Sequence, residues 1–334
     1  MTVLVFISKR LGSLLVVLFF LTLLVFTLGK VADSDPVRTY VGVNASAESV
    51  EAAREELGLD NPIPVQFGSF VVGAVQGDFG ISLSSKRPIA DELATRLPAT
   101  LELAGWALAL TVVIGVSLAS LYSRPGRLGA FMRFVFFSAA SAPSFLIAML
   151  SVLVFYKWLG GALPAAGRSS YGPYDDATGF YVLDGMLHGS PTYTWDAIQH
   201  LLLPAFAAAV GSGVALARVL ADGIASSLRS PWARTARALG EREGTVLRRH
   251  ALRNASSPAL SLLAVQAGFM VSSLVVVEQV FSWNGLGSYL SGAIGVGDFP
   301  AIAAVCLILG AVYVILNTLV DVALAAVDPR VRLS

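Results

Sequence analysis

The chain has 334 residues, of which 55% are hydrophobic and only 13% charged; its net charge is +1 and its mean hydropathy +0.72. A soluble domain carries about 25% charged residues, so lipid is the expected solvent for much of this chain. One cysteine, Cys306, and three scattered histidines, His188, His200 and His250, exclude a disulfide framework and offer no metal-ligand cluster.

A hydrocarbon core about 30 Å thick takes roughly 20 apolar residues in a helix, and six stretches reach that length. The first spans about 11–28 and follows Lys9 and Arg10. It is longer than a signal-peptide core, and Gly29-Lys30-Val31-Ala32-Asp33 has no small-x-small cleavage pattern, so it reads as an uncleaved anchor. Residues 29–98 form an outer segment. Ser46 is placed to cap a short helix over 47–57, with Glu48 in its positive first turn and Gly58 where a left-handed residue closes it. Val50, Ala53 and Leu57 share one face of that helix. A second helical stretch, 65–75, follows Pro62 and Pro64. This segment is expected to lie as a small cap on the outer membrane surface.

The second span is predicted at 100–121 and the third at 131–156. The outer segment after it, about 157–200, is rich in Gly, Tyr, Asp and Pro and shows no period; it reads either as a lid or docking surface or as an idle loop. The fourth span, 201–220, carries Pro204 near its start. The fifth is predicted at 258–281 and the sixth at 301–327. Pro143 and Pro204 are expected to kink or open their helices. The fold class is all-α and integral to the membrane, with six transmembrane helices. Its predicted parts are an N-terminal helix (1–28), the extracytoplasmic segment (29–98), a five-helix core (99–327) with a cytoplasmic loop (222–257), and a tail (328–334).

Lys and Arg set the orientation. With the N-terminus inside, the inner segments hold 14 of them, including seven arginines from Arg229 to Arg253, and the longer outer segments hold 8. Both termini are therefore predicted to be cytoplasmic.

The cytoplasmic loop is too polar to span and largely helix-forming. Trp232, Ala236 and Leu239 fall on one helical face, and Gly240 ends that helix. A second helix, 243–252, presents Val246, Leu247 and His250 beside Arg248, Arg249 and Arg253. Two short helices around a glycine turn make an exposed knob suited to a groove on a soluble partner; an ordinary basic loop that fixes topology or binds anionic lipid is the alternative.

This loop resembles the coupling loop of membrane subunits from ATP-binding-cassette importers, whose pattern is Glu-Ala-Ala, three residues, Gly, nine residues, then Ile-x-Leu-Pro. Gly240 matches the Gly, Ala236 the second Ala and Leu252 the Leu. Arg234, Thr235, His250 and Arg253 replace the Glu, the first Ala, the Ile and the Pro. The version present, Arg234-Thr235-Ala236-Arg237-Ala238-x-Gly240 with Arg249-His250-Ala251-Leu252-Arg253-Asn254-Ala255, is similar to that of the dipeptide/oligopeptide/nickel permease family. Further segments resemble the same family in order along the chain: Leu57-Gly58-Leu59-Asp60-x-Pro62, Gly77-Asp78-Phe79-Gly80 with Ser82, Arg96-Leu97-Pro98-Ala99-Thr100-Leu101-Glu102-Leu103, Val277-Glu278-x-Val280-Phe281-Ser282-Trp283-x-Gly285-Leu286-Gly287, and Asp328-Pro329-Arg330-Val331-Arg332. The long outer segment after the first span resembles the first of the two paired permeases.

The resemblance implies an importer subunit that works with a second related permease, two ATPase subunits and an extracytoplasmic solute-binding protein. ATP and Mg would sit on the ATPase subunits, since no G-x-x-x-x-G-K-[ST] phosphate loop occurs in this chain; the chain itself is expected to be neither an enzyme nor a nucleic-acid binder. Trp232, Arg234, Thr235, Ala236, Arg237, Gly240, Arg248, Arg249, His250 and Leu252 form the expected ATPase-coupling site, with Ala236 and Gly240 allowing close approach and the arginines supplying polar contacts.

Glu102, Glu278 and Asp321 lie within or at the ends of spans, where a carboxylate is a functional candidate. Glu102, Glu278 and Trp283 are candidate pathway or binding-protein contacts, with a structural role as the competing expectation. Gly295-Val296-Gly297-Asp298 matches an intramembrane aspartyl protease pattern, but its aspartate falls in a predicted outer loop, away from any partner with which to share a proton. Import of short peptides is the leading function, import of nickel chelates or another small solute the alternative, and a self-sufficient secondary carrier the alternative of another class.

Overall fold

The computed structural model describes residues 3–31, 45–56, 60–122 and 141–327, with isolated positions at 37, 41 and between 127 and 138. Among them the chain is helical, with one isolated bridge between Ile81 and Pro88 and no strand. Among the described residues, five helices are long and apolar enough to cross a membrane.

Helix α1 (Val3–Val31) leaves Leu15, Val16, Phe19, Phe20, Leu23 and Leu24 exposed, a surface that only lipid would solvate favourably. It packs along α11 (Phe299–Val327), where a Cβ on Gly29 would meet the Phe299 ring at 3.2 Å. Helix α2 (Ala47–Glu56) starts as expected, with the Ser49 amide donating to Ser46 Oγ at 3.2 Å. The predicted contributions of Ala53, Leu57 and Gly58 lie outside the described residues. Helix α3 (Ile63–Gln76) begins two residues before its predicted start because Pro62 and Pro64 preset its first turn. It buries none of its residues and exposes Ile63, Val65, Val72 and Val75. Lys30 Nζ donates to Gln66 Oε1 at 2.5 Å and holds α3 beside the end of α1.

Helix α4 (Ile89–Tyr122) starts eleven residues before the predicted second span and passes through Pro98 without a break. Asp91 and Glu92 occupy its first turn, where the helix dipole favours them. The predicted continuous third span is interrupted. Ala142 and Pro143 are non-helical, and α5 (Ser144–Trp158) begins only after them, its last six residues wound as a π-helix. Pro143, at φ −58° and ψ 145°, has no N–H to continue a preceding helix. Much of the predicted span before it lies outside the described residues.

The segment 157–200 is more ordered than its composition suggests. It contains α6 (Tyr181–Leu187) and the first ten residues of α7 (Pro191–Arg229). At 39 residues α7 is about 58 Å long. Pro204 is buried inside it and does not open it. Helix α7 is the axis of the bundle. Its Ala205, Ala207 and Ala208 pack with Ala99, Leu103 and Ala107 of α4 in one buried cluster. A Cβ on Gly213 would lie 2.7 Å from Ile114, so small residues set the close approach of these helices.

After the short α8 (Pro231–Ala238), helix α9 (Glu243–Val280) runs back along α7 for about 57 Å. The chain closes with α10 (Leu286–Val296) and α11. The bundle therefore has two distinct ends. One carries 159–190 and the α9–α10 connection; the other carries α8 and the start of α9.

Candidate functional site

At the α8 end the local chemistry builds a stiff turn. Ser230 ends α7 and caps α8: its backbone is extended at φ −67° and ψ 157°, its Oγ accepts from the Ala233 amide at 3.4 Å, and Pro231 takes the first helical position. Eight residues later the helix stops. Gly240 adopts φ +87°, which a side chain would strain, and its amide donates to the Arg237 carbonyl at 3.0 Å while the Glu241 amide donates to the Ala236 carbonyl at 3.1 Å.

The turn is pinned from both sides. Arg237 Nη1 donates to the Leu228 carbonyl at 3.0 Å, at the end of α7. Its Nε and Nη2 grip Glu243 at 2.5 and 3.2 Å, at the start of α9. That pairing holds the Glu243 carboxyl below, and the Arg237 guanidinium above, their ordinary pKa values. The Trp232 and His250 rings lie 5.5 Å apart, and His250 Nε2 is 3.3 Å from Glu241 Oε2. Ala233, Val246 and Ala251 are fully buried beneath the turn. Outward it presents Arg234, Thr235, Ala238, Leu239 and Gly240, with Leu239 80% exposed.

Two expectations are corrected here. Leu239 is not part of the helix that carries Trp232 and Ala236: the helix ends at Ala238 and Leu239 projects from the cap. The second short helix does not end near Leu252: residues Val246–Ala251 form a π-helical turn that continues into α9, so the turn and the fifth apolar stretch are one rigid element. Arg248, Arg249 and the partly exposed Leu252 lie on that continuous stretch.

At the opposite end Glu102, Glu278 and Trp283 are all buried, at 6%, 0% and 0% exposure, with their polar atoms engaged inside the chain. Glu102 Oε2 accepts from Arg168 Nη2 at 2.8 Å, and its Oε1 accepts from the Val182 amide at 2.9 Å. Glu278 accepts from Thr100 Oγ1 at 2.6 Å and from the Ser288 amide at 3.0 Å. Trp283 Nε1 donates to the Ala99 carbonyl at 2.9 Å. Gly285 and Gly287 make this packing feasible. A Cβ on Gly285 would lie 2.5 Å from Glu278 Oε1 and Thr100 Oγ1, and one on Gly287 2.5 Å from the Val275 backbone.

Three side chains that sequence reasoning did not single out complete this clasp. Arg168 stacks on Tyr181, 3.8 Å from its ring centre. Asp184 accepts from the Thr178 amide and hydroxyl at 2.8 and 2.7 Å. Asp298, noticed only inside a rejected protease pattern, accepts from Ser82 Oγ at 2.5 Å and from the Ser84 amide at 3.1 Å, tying the Gly77-to-Ser82 motif to the start of α11. The side chain of Asp321 lies outside the described residues.

Between the ends, a cleft of about 470 Å³ opens among α5, α7 and α9. Arg218 of α7 lines it, together with Ser144, Ser212, Gln266 and Ser273. Arg218 is the one Lys or Arg that falls in none of the predicted inner or outer segments, and that exception was the signal available for finding it.

Comparison with known proteins places these features in a family. Residues 111–333 match the binding-protein-dependent transport system inner membrane component family, and residues 3–104 match its N-terminal region. A dipeptide transport system permease protein of Alkalihalophilus pseudofirmus is 32% identical over 97% of this chain and 98% of its own length. A glutathione transport system permease protein of Escherichia coli K12 is 34% identical over 98% of both. A solved amino acid ABC transporter chain aligns at 17% identity and a TM-score of 0.44 over 70% of this chain and 90% of its own.

Proposed function

The chain belongs to the binding-protein-dependent transport system inner membrane components, as an ABC importer permease of the dipeptide/oligopeptide family and a multi-pass cell-membrane protein, and we propose that it passes short peptides inward by alternating access, driven by ATPase subunits on other chains. The observation that carries the coupling reading is the turn around Gly240. It is exposed at its tip, buried at its base, and rigidly continuous with α9. A force applied at Leu239 is transmitted through Arg237 and Glu243 to α7 and α9 together, because both helices are tied to it.

In this account the tip seats in a groove of an ATPase subunit, with Leu239 as its apolar anchor and Arg234, Arg248 and Arg249 around it. Ala236 and Gly240 keep the turn slim enough to enter. ATP binding closes the ATPase pair, tilts α7 and α9, and turns the cavity outward; hydrolysis resets it. The six apolar stretches support six crossings, and the Lys and Arg bias supports placing both termini in the cytoplasm. The third would be made by the apolar stretch 131–156, which contains Pro143. Partners would be a second related permease, two ATPases and an extracytoplasmic binding protein, with this chain the first of the paired permeases. Glu102, Glu278 and Trp283 are assigned to holding the outer end together, since buried and engaged side chains have no surface left for a docking protein. The dipeptide and glutathione (a tripeptide) transporters among the relatives favour short peptides as the solute.

The test is co-purification in mild detergent. Leu239→Asp should strip the ATPase subunits from the complex at least tenfold while leaving the second permease bound. Undiminished ATPase retention would refute the assignment.

A further inference from the structure

At the end of the bundle opposite the Gly240 turn, a cavity of about 420 Å³ lies between α1, α3 and the start of α11. Its apolar wall includes the rings of Phe26, Phe70 and Phe299. Lys30 and Asp78 are the charged residues among those that line it, and both are exposed. Lys30 closes the apolar span Gly12–Lys30, about 28 Å long, so its ammonium stands at headgroup level. This cation is held in place. Its Nζ donates to Gln66 Oε1 at 2.5 Å and lies 5.6 Å from the centre of the Phe26 ring, while Gln66 Nε2 donates to the Asn61 carbonyl at 2.6 Å. An ammonium carries three N–H donors, and Gln66 takes one of them. Asp78 is fixed too, its Oδ1 accepting from the Gly80 amide at 2.9 Å.

Helix α3 forms the third wall. Residues 61–77 contain no charged side chain. At 14 residues α3 is about 21 Å long, too short to cross a bilayer. Its exposed Ile63, Val65, Val72 and Val75 call for lipid contact, which a helix lying in the plane of the membrane surface obtains. Phe67 meets Phe26 edge-on, with ring centres 5.3 Å apart, and anchors α3 to α1 beside the Lys30 bond. The cavity is thus a recess at the level where phosphates and acyl chains meet.

We propose that this recess binds one phospholipid with an ethanolamine headgroup: Lys30 holds the phosphate, Asp78 accepts from the ammonium, and the upper part of an acyl chain covers Phe26, Phe70 and Phe299. Charge complementarity selects the occupant. One cation and one anion on the same cavity match a zwitterion, and both contacts are charge-assisted hydrogen bonds. A glycerol headgroup would leave the Asp78 carboxylate without a cation, and a choline has no N–H to donate to it. A volume of about 420 Å³ falls within the range of small-molecule pockets and admits a headgroup with part of a chain. The lipid would hold α3 against α1 and α11, whatever solute is imported.

The experiment uses the assembled importer in mild detergent, stripped of loosely held lipid. It is offered equal amounts of phosphatidylethanolamine, phosphatidylglycerol and phosphatidylcholine with the same oleoyl chains, and native mass spectrometry counts what stays bound. The wild type should retain phosphatidylethanolamine in preference to the other two. Lys30→Gln should lower that retention about tenfold. Asp78→Asn should bring the ratio of phosphatidylethanolamine to phosphatidylcholine towards one. Lys86→Gln, at an exposed lysine of the same end that does not line the cavity, should change nothing. Wild-type retention in an assembled Lys30→Gln complex overturns the proposal, as does equal retention of the three lipids by the wild type. If Lys30→Gln does not assemble, Asp78→Asn decides, and an unchanged ratio there overturns it.

Discussion

Glu102 and Arg168, 66 residues apart in the chain, meet at 2.8 Å with both side chains almost fully buried. The contact fastens the glycine-rich segment before α6 onto α4, and the Arg168 guanidinium continues over Tyr181 and towards Trp283. Removing one partner of a buried ion pair leaves the other charge uncompensated, at a cost of about 3–5 kcal/mol. Glu102→Ala or Arg168→Met should each lower the unfolding midpoint in detergent, followed by tryptophan fluorescence. The double variant should recover part of the loss, because it strands no charge. Additive losses would show that the two groups do not act as a pair.

Gly285→Ala should be as damaging as losing a core side chain, although it adds only a methyl group. That methyl would enter the space shared by Glu278 Oε1 and Thr100 Oγ1. Overpacking of this kind costs about 1–3 kcal/mol. The yield of monodisperse protein should fall for Gly285→Ala and stay unchanged for Gly292→Ala, whose added Cβ would meet nothing.

The Gly240 turn should keep its stiffness across the neutral range and lose it only in acid. Hydrogen bonding to Arg237 depresses the Glu243 carboxyl. Its contribution is therefore fully present above the unfolded glutamate value of about 4.3 and disappears as pH falls through the lower folded value. A nitroxide at position 239 should show constant mobility from pH 8 to 5 and rising mobility below about pH 4. Glu243→Gln should be mobile throughout.

His188 predicts the opposite sign at the other end. The Asp184 carbonyl and then the Asp176 carboxylate raise its pKa, and its ring stacks on Tyr174 with centroids 4.0 Å apart. The ordering this gives the loop is fully present below the ordinary histidine value of about 6.5 and is lost as pH rises through the higher folded value. Amide exchange across residues 174–188, corrected for its intrinsic pH dependence, should be more protected at pH 6 than at pH 9. His188→Gln should flatten the difference.

These contacts mark what could be seen in the residues alone. Gly240 acts on its immediate neighbours, so the end of α8 was legible; Ser230 and Pro231 fix its start just as locally, but that signal was not read. Long apolar stretches likewise announced their helices. Pro143 and Pro204 carried the same expectation, a kink or an opening, and only Pro143 interrupts its helix, because whether a proline does so or rides inside, as Pro98 and Pro204 do, depends on what the surrounding helices can satisfy. Glu102 and Glu278 were visible as unusual charges, but their partners Arg168 and Thr100 are brought to them by tertiary packing across many residues. The extension of the Gly240 turn into α9 was hidden by polarity: the arginines of residues 248–253 mask a helix that continues without a stop.

The central claim, that the Gly240 turn is where an ATPase subunit engages this permease, is tested most directly by cross-linking in the assembled complex. With Cys306 replaced by Ala, a cysteine at Leu239 should join to an ATPase subunit through a short bifunctional reagent, and one at Val72 of α3, at the far end, should not. A cross-link from Val72 and none from Leu239 would contradict the account.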